Sequence, residues 1–270
     1  MSNPVLSEKA FKQAATDDRV GWAAPETATV RHEPISDGPI SPYKTGRMTV
    51  EGAITATGVL FVLLLVGGVV GWLSVKVSDP ENLRIPGWIF APLLIALGLV
   101  IWSVVKPQVS RYTAPAYALC EGLVLGAISH VFDARWNGIA AQAALGTAGV
   151  FATMLVLYTT RIVKVTDRFR KMVIAATVGV MVIYAVGLLA RLFGGEIGFI
   201  NSPSALGVLF SVVVVGIAAF NLMLDFDLIE KGAQAGAPKY MEWYAALGLM
   251  VTVVWLYLEI LRLLAKLRDR

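Results

Sequence analysis

The chain of 270 residues is 57% hydrophobic and only 16% charged, and its mean hydropathy is +0.69. Soluble domains carry about 25% charged residues and less than half apolar ones, so the composition excludes an ordinary cytosolic enzyme, a disordered protein and a disulfide-stapled secreted domain. The formal charge of +4 comes from basic residues scattered between apolar runs, which argues against nucleic acid as a partner.

The first 48 residues differ from the rest of the chain. They hold five prolines among charged and small polar residues, which predicts a mostly disordered tail. The tail has no basic segment followed by an apolar stretch, so it is not expected to be a secretory signal. We therefore divide the chain into a disordered tail, residues 1–48, and a membrane domain, residues 49–270.

From Val50 onward the apolar runs have the length of a bilayer crossing, for which a helix needs about 20 residues. Seven helices are predicted, at about 50–75, 86–105, 112–132, 138–160, 171–193, 203–228 and 243–264. Connections such as Lys106 to Arg111 are too short for soluble domains. Because backbone groups in lipid must be satisfied within each segment, we predict an all-α integral membrane protein with one compact seven-helix bundle.

Small residues recur at a spacing of four in two of these helices. The first helix holds Gly67 and Gly71, and the third holds Gly122 and Gly126. This spacing favours close approach of two helices, and a hinge for gating is the alternative.

The basic residues of the connections indicate the orientation. One side carries most of them: Lys44, Arg47, Lys106, Arg111, Arg161, Lys164, Arg168, Arg170, Lys171, Lys231 and Lys239. The other side holds Lys76, Arg84 and Arg135. The positive-inside rule therefore predicts a cytoplasmic N-terminus, and we expect the plasma membrane as the location. After seven crossings the basic C-terminus would face outward, so the last segment either crosses fully, which its length favours, or dips in and returns.

Four ionisable residues stand inside apolar segments, where a charge costs at least about 2.5–3.5 kcal/mol. They are Glu121, Asp225, Glu259 and Arg262. Glu121 falls about 15 Å along the third helix, so it is either a protonated group bonded inside the bundle or part of a polar path. Arg262 either pairs with Glu259 three residues away, or extends to the membrane surface and leaves Glu259 free to titrate.

Asp225 follows Asn221 by one helical turn, which makes a polar stripe near the end of the sixth helix. Asp227 and Glu230 in the next turn are expected to face water at the membrane rim. Three acids at a helix C-terminus oppose the helix dipole, so Asp225 is not there for helix stability.

Two motifs resemble those of the Bax-inhibitor family, the transmembrane BAX inhibitor motif proteins. Leu224–Ile229 is similar to the family's aspartate motif in the sixth helix, and Leu256–Leu261 resembles its Leu-Tyr-Leu-Asp motif in the last helix. Asn3–Val5 and the segment from Glu121 to Gly126 look like a bacterial, actinobacterial-type branch.

The resemblance implies six helices around a central seventh, and a function. Bacterial relatives are described as pH-sensitive calcium leak channels, in which two carboxylates share a proton and an arginine latches one of them. Carried over, Asp225 and Glu259 are the two acids and the transient calcium ligands, and Arg111, by its place at the start of the third helix, is a latch candidate. Two further candidates come from the residues themselves: Glu121 as a group on the ion pathway, from its depth in the third helix, and Arg262 as a second latch candidate, since it stands beside Glu259 where the family usually has a neutral polar residue.

The distance between the two acids decides whether that carry-over holds. Counted from Trp243, Glu259 lies about 24 Å along the last helix, too deep to meet Asp225. The two carboxyl groups come together only if residues 238–249 protrude or run along the membrane surface.

The leading hypothesis is a passive leak of calcium or another cation, gated by protonation, since calcium prefers hard oxygen ligands. The first alternative is a membrane-embedded regulator that binds a membrane-protein partner, such as a protease, through the tail. The second is a proton-coupled transporter with Glu121 on the relay. No hydrolase motif is evident, and the single Cys120 and two histidines are too few for most metal sites, so we expect neither an enzyme nor a cofactor.

Overall fold

The computed structural model describes residues 46–76, 86–194 and 202–269. Within these ranges the chain is helical apart from turns, short links and one isolated bridge between Arg47 and Pro238. Nearly all of the predicted tail lies outside the described residues. Its disorder, and its contact with a membrane-protein partner, therefore stay predictions.

Seven long helices make up the bundle. They are α1 (Val50–Ser74), α2 (Phe90–Val105), α3 (Ser110–Arg135), α4 (Ile139–Thr159), α5 (Asp167–Leu192), α6 (Ala205–Gln234) and α7 (Met241–Arg268). Short 3₁₀ segments precede α2 and α3. All seven helices, α2 and α3 counted with these segments, are long and apolar enough to cross a membrane, which confirms the predicted fold class.

The two termini of this helical domain lie at opposite ends of the bundle. At the end that we call the first end, the Met48 amide donates to the Ala237 carbonyl at 2.6 Å. At the second end, Arg268 donates to the carbonyl of Asn137 at 3.0 Å. Helix α7 therefore crosses the whole bundle, and the alternative of a segment that dips in and returns is wrong.

Helix α7 is the central helix. It packs against α1, α3, α4 and α6, whereas α2 packs chiefly on α3 and α5 chiefly on α6. Several of the largest fully buried side chains belong to α7: Tyr244, Met250, Leu256 and Leu261. The central position explains why α7 is apolar around most of its circumference, since neighbours cover most of its faces.

Helices α1 and α3 approach each other closely through glycines on both sides. A Cβ at Gly67 would lie 2.5 Å from the carbonyl oxygen of Leu119, and one at Gly126 would run into the backbone of Gly68. Gly71 and Gly122 face the partner backbone in the same way. The close approach that the spacing predicts is confirmed, and we call this contact the glycine clasp.

Candidate functional site

Asp225 presents a carboxyl group to the central helix. It lies nine residues before the end of α6, so it is about 14 Å from the first end of the bundle. The hydroxyl of Thr252 on α7 lies beside this carboxyl group. Its Oδ2 is buried, and none of the described residues donates a hydrogen bond to it. An acid at this depth with an unused acceptor is costly, which marks it as a functional candidate.

Glu259 is held on α7 by a ring of donors. Glu259 is only 1% exposed, and Arg262 donates to its two oxygens at 2.9 and 3.0 Å. The Tyr184 hydroxyl of α5 is 2.9 and 3.0 Å from the same oxygens, and the Trp255 indole donates at 3.2 Å. Of the two expectations, the intrahelical pair is the one that forms.

Tyr184 also binds Arg262. The guanidinium donates to the Tyr184 hydroxyl at 2.6 Å and stands 5.0 Å from the centre of its ring. The hydroxyl in turn donates to Glu259, so the three groups form one closed network between α5 and α7. We call it the Tyr184 network. Sequence analysis missed Tyr184, because its partners lie 75 and 78 residues away in the chain.

The structure does not bring Asp225 and Glu259 together. Thr252, which marks the level of Asp225 on α7, precedes Glu259 by two helical turns, or about 10 Å along the axis. Residues 241–249 are helical and largely buried in the bundle, so they do not protrude as a shared proton would require. The carboxylate pair and the shared calcium site implied by the resemblance are therefore not formed in this structure.

Glu121 is a second buried acid at a similar depth. It lies about 17 Å from the start of α3, is 7% exposed and is close to Tyr117 and Cys120. It belongs to the side of α3 that packs with Ala118 and Leu125 against α1 and α7. Within the described ranges, no hydrogen bond or ion pair to Glu121 is found. Of the two alternatives for Glu121, the bond to a neighbouring helix is therefore not found among the described residues.

The two latch candidates differ in what they contact. Arg111 is exposed at the start of α3, where its guanidinium stands 5.2 Å from the ring centre of Tyr112. Asp225 lies about 14 Å deeper, so Arg111 does not latch it here. Arg262 does hold an acid, but the acid is Glu259.

Asp227 corrects the expectation of a solvated rim. It is 7% exposed and accepts from Arg170 of α5 at 2.6 Å and from Lys231 at 2.8 Å. Glu230 accepts from the Tyr158 hydroxyl of α4. These acids join α6 to its neighbours rather than facing water alone. The sequence could have indicated one of these contacts, because Asp227 and Lys231 are four residues apart, the spacing of an ion pair within a helix.

Two basic residues near the end of α7, the buried Lys266 and the exposed Arg268, donate hydrogen bonds to neighbouring segments. Lys266 is 5% exposed and donates to the Gly207 carbonyl at 3.0 Å and to the Ser211 hydroxyl at 2.7 Å. Arg268 donates to Gln142 at 3.0 Å. Because these cations bind α4 and α6, they fix the end of α7 to the second end of the bundle.

Glu242 in the first turn of α7 caps α1. Its carboxylate is 5% exposed and accepts from the Thr49 amide at 3.0 Å and from the Thr49 hydroxyl at 3.1 Å. A Cβ at position 52 would overlap this carboxylate, so Gly52 leaves the room that it needs. An anion at a helix N-terminus satisfies free amides and complements the dipole.

We expect Glu242→Ala to lower the free energy of unfolding by about 1–2 kcal/mol, because α1 loses its cap and Thr49 loses a buried partner. Thermal unfolding in detergent measures the loss. The matched control is Glu51→Ala. Glu51 is an exposed acid in the first turn of α1, the turn that Glu242 of α7 caps. An equal loss in both variants would contradict the capping role.

Comparison with known families agrees with the helix pattern and the two motifs. A family model described as Bax inhibitor 1 like matches residues 3–269. The chain belongs to the Bax inhibitor 1 like family. No curated protein matches the chain, and no solved structure does. The family and the seven spanning helices together establish a multi-pass membrane protein.

In this Bax inhibitor 1 like protein, the two motif acids have different surroundings. Asp225 keeps an unused oxygen against α7, whereas Glu259 is neutralised by a cation and bonded by three side chains. The geometry therefore supplies one available carboxyl group and one occupied one, on the same side of α7.

Proposed function

We propose that this protein is a passive cation leak, with calcium as the favoured ion, and that protonation of a buried acid beside α7 gates it. The observation that carries the proposal is the unpaired Oδ2 of Asp225 at mid-depth against Thr252. Ionisable groups within membrane spans mark ion pathways, and carboxylate oxygens are the ligands that calcium prefers.

The two motif acids act in series rather than as a pair. Asp225 is about 14 Å from the first end, and Glu259 is about 27 Å along α7 from the same end. A cation would therefore meet single carboxyl groups. Among the described residues no three His, Cys, Asp or Glu side chains gather into a metal cage, which suits an ion in passage.

The gate follows from the charge of Asp225. When Asp225 carries a proton it is neutral and offers no site for a cation, and when it loses the proton it supplies one. The leak should therefore rise with pH. Arg262 keeps Glu259 compensated in the closed state, which gives it the role of latch.

The orientation belongs to the same proposal. We assign the first end to the cytoplasm of a plasma membrane, since it carries most of the basic residues of the connections. Of the basic residues of α7 at the opposite end, Lys266 is buried and bonded to α6, so it weighs less against this orientation, whereas the exposed Arg268 counts against it.

We expect Asp225→Asn to lower calcium flux into proteoliposomes loaded with a calcium dye by about tenfold, the effect of losing roughly 1.4 kcal/mol of cation stabilisation. It should also flatten the dependence of flux on external pH, because an amide does not titrate. Asp225→Glu retains the chemistry and should keep the pH dependence.

The matched control is Asp269→Asn, which removes an acid from an ion pair with Arg135 at the second end. Its flux should equal that of the unchanged protein. A leak that is independent of pH, or an undiminished leak in Asp225→Asn, would overturn the proposal.

A further inference from the structure

Helix α5 is the least enclosed helix of the bundle. Only 11% of the residues in the most apolar stretch of α5 are buried, whereas 56% are buried in the corresponding stretch of α7. Val173 and Val180 are its buried apolar side chains among those described, and the helix packs chiefly on α6. Many of its other apolar side chains are exposed, where lipid would surround them: Met172, Val178, Met181, Val182, Val186, Leu188 and Leu189.

Three polar contacts at seven-residue intervals join α5 to the core, and we call them the polar ladder. Arg170 binds Asp227 at 2.6 Å, Thr177 accepts from Asn221 at 2.8 Å, and Tyr184 belongs to the Tyr184 network. Seven residues are close to two helical turns, so the three α5 residues share one face. The ladder spans residues 170–184, about 21 Å along α5 and just over half of the length of the helix.

The ladder carries a large share of the attachment of α5. In lipid, apolar contact alone does not favour helix association, which depends on close packing and on hydrogen bonds between helices. At Gly179 of α5 open space surrounds the Cβ position, so this glycine makes no contact like those of the clasp, and Val173 and Val180 are the buried apolar side chains of α5 among those described. A few hydrogen bonds can break and form again, whereas the clasp holds α1 and α3 together by direct contact between their backbones.

Polar groups lie in a row under the ladder. Measured from the first end, Asp227 is about 10 Å along α6, Asn221 about 20 Å, and Glu259 about 27 Å along α7. Helix α5 supplies one partner of each of the three groups, so its departure removes that partner and exposes the row along the α6–α7 junction. Asp225 belongs to the same stretch of α6.

We infer that α5 is a lateral gate, whose outward movement breaks the polar ladder and opens this row of oxygen-bearing side chains to the permeating cation. The inference that α5 moves rests on the contacts of α5 alone. The claim that ions then pass rests on the function proposed above.

Two nitroxide labels measure the movement. In a Cys120→Ser background, labels on cysteines replacing the exposed Val62 of α1 and Val178 of α5 report the distance between these helices in lipid nanodiscs at fixed pH. We expect Thr177→Val combined with Tyr184→Phe to add a population at longer distance. Loss of these interhelical hydrogen bonds should raise the undocked fraction about tenfold.

The control variant carries the same two types of substitution, Thr→Val and Tyr→Phe, at positions outside the polar ladder. Thr153→Val combined with Tyr112→Phe removes hydroxyl groups that make no contact with another helix among the described residues, and should leave the distance unchanged. Labels replacing Val62 and Leu145 test whether α1 and α4 stay fixed. An unchanged distance between α1 and α5 in the ladder variant, or an equal shift in both label pairs, overturns the gate.

Calcium flux of the same variants separates this inference from the proposed function. A longer distance with a raised leak supports both. A longer distance with an unchanged leak supports the movement of α5 and contradicts conduction along the row. A raised leak with an unchanged distance supports conduction and overturns the gate.

Discussion

The Arg262→Gln variant is expected to lose about 3 kcal/mol of unfolding free energy, because it leaves Glu259 buried without its cation. Arg262 is 37% exposed at its side chain, which places the effect at the lower end of the range for buried ion pairs. Tyr184 would keep its bond to Glu259 but lose the guanidinium that donates to its hydroxyl. Denaturation in mixed micelles measures the loss.

A double variant separates the effect of losing the charge of Arg262 from the effect of losing the rest of its side chain. Glu259→Gln combined with Arg262→Gln removes both charges and should recover most of the stability, since an amide at 259 still accepts from Tyr184 and Trp255. Arg268→Gln is the matched control, because it replaces a rim arginine of α7 whose described partners are neutral groups. A double variant as unstable as Arg262→Gln would contradict the charge argument.

The latch adds an independent measurement to the same variants. If Arg262 holds the closed state, Arg262→Gln should raise the calcium leak at a fixed pH, whereas Arg268→Gln should not. A cation with a purely structural role would change stability and leave the leak of the folded fraction unaltered.

The fold was predictable because the bilayer constrains helix length more strongly than any local propensity. Runs of about 20 apolar residues have few alternatives in lipid, and the predicted bounds fall within a few residues of most helices. The end of α6 extends to Gln234 and that of α7 to Arg268. Hydropathy could not show these ends, since polar residues such as Asp227 and Lys266 remain helical by binding neighbouring helices.

The site was predictable only where partners are close in the sequence. Arg262 and Glu259 are three residues apart, so their pairing could be weighed as an alternative. Whether Asp225 meets Glu259 depends on the axial register of α6 against α7, which the sequence does not encode locally. Tyr184 is an ordinary tyrosine in an apolar run until the fold places it beside the ion pair.

The glycine clasp explains why one part of the bundle can stay fixed while α5 moves. Its glycines place the backbones of α1 and α3 in direct contact, with carbonyl oxygens such as those of Leu119 and Gly68 standing where side chains would be. Backbone cannot shift as the end of a flexible side chain can. The clasp therefore sets the distance between two helices that pack on α7.

We expect Gly126→Leu to lower the free energy of unfolding by about 3 kcal/mol, at the upper end for overpacking, because its obstacle is the backbone of Gly68. Size-exclusion yield and thermal unfolding in detergent measure the loss. Gly149→Leu, at a helical site of α4 with open space around its Cβ, is the control and should not destabilise the protein. Because Leu has a higher helix propensity than Gly, propensity cannot cause a loss, and equal losses in the two variants would mean that contact with α1 does not govern the effect. If Gly126→Leu instead leaves the protein folded and the α1–α3 distance unchanged, the clasp does not fix the distance between α1 and α3. The part of the bundle from which α5 would move away is then not held rigid by the clasp.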